Sequence, residues 1–153
     1  MINSKFIVSY KYLDKSFSKK KILWALNHLK QIGKKYVIKF FFNRKNNDSK
    51  INYIFLSNNE KILRKNFRLK ITLPKKKEAF VILPYNNNII IYANDYRGFI
   101  YAITELVDII KFSKNNNLII NKNIIEEPTT EIRSISKCFE SIDEDKEWFY
   151  NKK

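Results

Sequence analysis

Residues 89–102, Ile89-Ile90-Ile91-Tyr92-Ala93-Asn94-Asp95-Tyr96-Arg97-Gly98-Phe99-Ile100-Tyr101-Ala102, run a strand straight into an amphipathic helix. The short apolar β-rich run reads as a buried strand. Beyond it Phe99, Ile103, Leu106, Val107 and Ile110 recur at helical spacing, with Asp95 placed to cap the first turn. Gly98 falls inside that turn, where a missing side chain lets the helix press against the sheet. The geometry of a strand-to-helix corner thus accounts for Asp95, Arg97 and Gly98.

Working outward, Ala79–Leu83 and Asn88–Tyr92 form a hairpin across Pro84-Tyr85-Asn86-Asn87. Residues 5–10 read as a first strand, followed by a helix from Ser18, its cap, to Gly33, which would end it in the left-handed conformation. Ile22, Leu23, Leu26, Leu29 and Ile32 make one stripe on that helix. Strands are expected at 36–43 and 51–56 around a polar turn at 46–49. The basic connection 58–77 is expected to hold a short helix and a strand near Phe67–Leu73. Leu118-Ile119-Ile120 begins a last strand, and Pro128 ends the regular structure. The fold class is therefore α+β: a mixed, largely antiparallel sheet with two main helices on one face.

At 153 residues the chain suits one domain with a short appendage, and 44% hydrophobic content excludes a disordered chain. No apolar run is long enough to cross a bilayer and no signal-peptide pattern opens the chain, so the expected location is the cytoplasm. The formal net charge is +15. Residues 1–77 hold 21 Lys/Arg against 3 Asp/Glu, a balance of +18, while residues 78–153 hold 9 against 12, a balance of −3. Such a half could attract a polyanion. However, Lys, Asn and Ile dominate strands, turns and helices alike, as an AT-rich genome would produce. Lys19-Lys20-Lys21 and Lys75-Lys76-Lys77 then read as solvated faces, and no zinc-finger spacing, RNA-binding signature or leucine heptad accompanies them. The competing reading is a stand-alone basic module that binds nucleic acid or another polyanion through residues 1–77.

His28 has neither a second histidine nor a carboxylate cluster beside it, and Cys138, the single cysteine, has no obvious base. No metal site or cofactor is expected. The absence of a glycine-rich loop excludes the usual phosphate cradles.

The corner resembles the accessory domain that precedes the catalytic barrel in glycoside hydrolases of the hexosaminidase and α-glucuronidase type. That domain ends with a strand, a turn carrying Asp, Arg and Gly, and a helix opening with an aromatic, Tyr and Ala. Asp95, Arg97, Gly98, Phe99, Tyr101 and Ala102 supply these. A proline linker and an arginine-opened first barrel strand come next in the family; Glu127-Pro128 and Ile132-Arg133-Ser134-Ile135 take those places. The resemblance covers roughly residues 78–150, and the first half is compatible with it. It implies an accessory domain at 1–126 and a linker with the start of a truncated TIM-like barrel at 127–153. It further implies that Arg133 contacts sugar hydroxyls, with Glu140 near the strand's active-site end. Ser134 replaces the family's usual glycine, and Cys138 and Phe139 do not match its acidic residue. The carboxyl groups that cleave the bond belong to later barrel strands, so no catalytic residue is assigned, and this chain by itself is expected to turn nothing over. The implied partners are a catalytic domain in the same polypeptide and, through it, a carbohydrate; neither nucleic acid nor a membrane is expected.

Overall fold

The computed structural model describes residues 5–42, 51–69, 71–113 and 118–129. Six strands, β1 (Lys5–Tyr12), β2 (Lys39–Phe42), β3 (Asn52–Ser57), β4 (Phe80–Tyr85), β5 (Asn88–Ala93) and β6 (Ile124–Glu126), form one sheet in the order β2-β1-β3-β5-β4-β6. Among the described residues three helices accompany it: α1 (Leu23–Lys35), α2 (Glu60–Phe67) and α3 (Tyr96–Phe112). The α+β class and the mixed sheet agree with the sequence. One detail differs, because β1 pairs parallel with both β2 and β3, and β3 parallel with β5, leaving only β4 antiparallel to β5 and β6. A helix-length crossover between β1 and β2 returns the chain in its original direction; the connection through α2 reverses it into β4, and the tight β4–β5 hairpin reverses it back.

Strand alternation builds two cores. Phe6, Val8, Ile54, Leu56, Phe80, Ile82, Ile89, Ile91 and Ala93 face α1 and α3, meeting Leu26, Leu29, Phe99, Ile103, Leu106 and Ile110. Val81, Leu83, Ile90 and Tyr92 point the other way, onto Leu63 and Phe67 of α2. The two main helices thus share a face, and the short α2 covers the reverse. Each fully buried Leu, Ile or Phe contributes about 1.5–3 kcal/mol relative to exposure.

Local chemistry explains the other departures. The helix expected from Ser18 begins as a 3-10 turn, Lys19–Ile22, and the Ser18 side chain makes no capping bond. Gly33 lies within α1, and neither glycine has a positive φ. The left-handed residue is Val37 (φ 63°), beyond the end of α1, where Ile38 N donates to Gly33 O at 2.8 Å and Val37 N to Lys34 O at 3.4 Å. A Cβ on Gly33 would meet the Phe40 ring at 2.6 Å, so this glycine serves close packing of α1 on β2. The expected short helix is α2, but the described residues of 67–73 form no strand. Arg68 turns left-handed (φ 50°), and the Arg64 guanidinium takes the carbonyls of Leu69 (3.1 Å) and Ile71 (3.0 Å). Leu118–Ile120 is not a strand either, because Ile124–Glu126 holds the ladder against Phe80–Ile82, while Leu118 packs into the larger core. The expected polar turn at 46–49 lies outside the described residues.

Candidate functional site

The strand-to-helix corner is closed by side chains that serve its backbone. Asp95 Oδ1 accepts from Gly98 N at 2.8 Å, capping α3, and its Oδ2 accepts from Glu78 N at 3.1 Å, tying the segment before β4 to the same carboxylate. Glu78 is left-handed (φ 64°), and its Oε1 accepts from Arg97 Nη1 at 2.7 Å. Hydrogen bonding to Glu78, and then to Tyr96, holds Arg97 still more firmly in its charged form. A Cβ on Gly98 would lie 2.6 Å from Ala79 O and 2.9 Å from Ala93 Cβ. Asp95, Arg97 and Gly98 therefore meet at one joint, where each satisfies the fold.

Tyr101 shares a groove with Glu78 of that joint. It is 41% exposed and lines an open groove of about 340 Å³ between α3 and the β4–β6 edge. Thr104, Glu105 and Asp108 continue the helix wall; Phe80, Glu126, Glu127 and Pro128 form the other side. The described residues hold eight carboxylates (Asp14, Glu60, Glu78, Asp95, Glu105, Asp108, Glu126 and Glu127), and five of them line this groove. Three are paired: Glu78 with Arg97, Glu127 with Lys76 at 3.7 Å, and Asp108 with Lys111 at 3.5 Å. The patterning of α3 did not single out Glu105, Asp108 or Glu126, since solvated helix and strand positions read alike whether or not they face one another.

Among the described residues no group of three His, Cys, Asp or Glu could hold a metal ion, and no helix is long and apolar enough to cross a membrane. His28 stays on α1, outside both the corner and the groove. Arg133, Glu140 and Cys138 lie outside the described residues. What the corner and groove offer chemically is a rigid joint and an acidic recess beside the point where the chain leaves the sheet.

No protein-family model matches the chain, and no curated protein matches it. Solved structures do share its fold. A GH138 enzyme targeting the pectin rhamnogalacturonan II matches 84% of this chain at 20% identity with a TM-score of 0.53. A GH115 4-O-methyl-α-glucuronidase with specificity for decorated arabinogalactans matches 73% at 15% identity with a TM-score of 0.52. The chain spans 16% and 14% of those two enzymes, so the likeness is to one unit of a much larger carbohydrate-cleaving protein.

Proposed function

We propose that this chain is the non-catalytic N-terminal domain of a glycoside hydrolase, with residues 1–126 forming a hexosaminidase-like accessory domain and 127–153 a linker and the opening of the catalytic barrel. The observation that carries this reading is the fold shared with a small part of two glycoside hydrolases; the closed Asp95–Gly98 corner, on which the sequence resemblance rests, supports it. The role is mechanical: the Asp95 cap and the Gly98 contact hold α3 and the β4–β6 edge in fixed relation, giving the departing chain a rigid base. In the complete enzyme Arg133 would bind sugar hydroxyls and Glu140 would lie near the pocket, while the bond-cleaving carboxyl groups come from later strands.

Two experiments test the reading. The coding DNA beyond Lys153 should continue into a barrel; a stop codon there, in a natural gene, contradicts it. The isolated chain should release no nitrophenol from nitrophenyl hexosaminides or glucuronides, and measurable turnover would show that the catalytic groups are misplaced. The rival polyanion module calls for duplex-DNA binding that collapses as salt rises. Against it, Lys11, Lys19, Lys21, Lys30 and Lys35 each lie 5.0–5.9 Å over a Tyr or Phe ring, so these ammonium groups already have partners within the fold.

A further inference from the structure

At the end of the sheet opposite the Asp95 corner, a second recess of about 370 Å³ opens where β1, β3 and β5 begin. Among the described residues its polar rim is made only of carboxamides: Asn52 of β3, Asn86 and Asn87 of the hairpin turn, Asn88 of β5, and Asn121. Phe6 and Ile89, both almost fully buried, with Leu118, Ile119 and Ile120, form an apolar floor and wall. Among the described residues none that lines it is charged, in a chain with 30 Lys/Arg.

We propose that this asparagine-rimmed recess binds a neutral saccharide unit. A carboxamide offers an acceptor oxygen and two donor hydrogens on one planar group, which suits neighbouring hydroxyls that each donate and accept. The recess volume falls in the range of small-molecule sites, and an apolar floor with a few convergent polar groups is their usual composition. The sheet fixes part of the rim already: Asn88 Oδ1 accepts from Tyr53 N at 2.8 Å, which leaves its amino group directed elsewhere. Ile119, 59% exposed, provides an aliphatic surface for the carbon-bound hydrogens of a sugar ring. Among the described lining residues no cation would neutralise an acidic sugar or a phosphate, and carboxamide donors offset only part of the cost of desolvating its charge. A nucleobase would lack a stacking platform, because Phe6, the one aromatic among the described lining residues, is only 2% exposed.

The inference deepens the accessory-domain reading by giving that domain a carbohydrate contact of its own. It is tested on the isolated chain by titrating D-galactose, lactose, D-galacturonate and AMP while following side-chain amide resonances by NMR. Galactose or lactose should shift the Asn87 and Asn121 amides, with affinity on the order of millimolar as befits a small, open site. Asn87→Ala combined with Asn121→Ala should weaken binding by about tenfold, whereas Tyr101→Ala, in the other groove, should leave it unchanged. Both asparagines are exposed, so the double variant should keep the parent thermal melt; if it does not, Asn121→Ala alone decides. Absence of shifts up to about 100 mM sugar, stronger binding of galacturonate or AMP, or equal binding by the asparagine variants would each overturn the proposal. A null result leaves a non-binding accessory domain standing, while sugar binding by a chain whose gene encodes no barrel would keep this inference and sink the other.

Discussion

Gly98 shows how one missing side chain sets the joint. In an exposed helix, Gly→Ala stabilises by about 1 kcal/mol through helix propensity. At position 98 the new methyl group would meet a backbone oxygen and a fixed Cβ at distances that force something to move. Neither neighbour can swing aside as a flexible side chain would, so steric cost outweighs propensity. Gly98→Ala is therefore expected to destabilise the fold by about 1–3 kcal/mol, read as a lower urea midpoint with an unchanged slope. A rise in the midpoint would show that α3 is free to lift from the sheet. The glycine and its capping Asp95 were both legible in sequence, because a rare glycine three residues after an Asp is a local signal. Glu78 was not, since its tie to Asp95 and Arg97 joins residues far apart in the chain.

At the scale of elements, the end of α1 carries a conformational cost that sequence did not reveal. Gly33 looked like the left-handed terminator, yet the helix continues past it and Val37 takes the positive φ, in a bonding pattern usually completed by glycine. The left-handed region costs an L-residue roughly 1–2 kcal/mol, and a β-branched side chain belongs there least. Val37 is half exposed, so little packing would be lost on replacing it. Allowing for the extra freedom glycine gives the unfolded chain, Val37→Gly should stabilise the protein by about 0.5–1 kcal/mol, seen as a higher thermal midpoint. A lower midpoint would mean that Val37 packs more than its exposure suggests. The helix stripes of α1 and α3 were readable because burial against a sheet imposes a fixed period. The strands expected at 67–73 and 118–120 were apolar runs of the right kind, but a strand also needs a free ladder. Arg64 had taken the carbonyls of the first, and Ile124–Glu126 held the position beside β4.

Across the whole molecule, burial of tyrosines gives stability a pH dependence at the alkaline end. Desolvation pushes the Tyr10 phenol up from 10.0 to about 12, and Tyr92 moves the same way through burial and then the Glu60 charge. Because the folded pKa lies above the unfolded one, the unfolded chain gives up its proton first. The stabilisation is complete below pH 10 and is lost as pH climbs toward 12. Chemical denaturation should show stability falling across that interval, and Tyr10→Phe should flatten part of the fall; an identical decline in the variant would assign the effect elsewhere. Sequence alone determined which segments bury which face, because periods of two and of 3.6 are written residue by residue, and it located the sharp corner through Asp95 and Gly98. Tertiary structure alone decided that most of the sheet is parallel, that five carboxylates gather along α3, and that five asparagines from three segments ring one recess. Strand direction and convergence are set by long-range pairing, and no local pattern encodes which distant residues will share a surface.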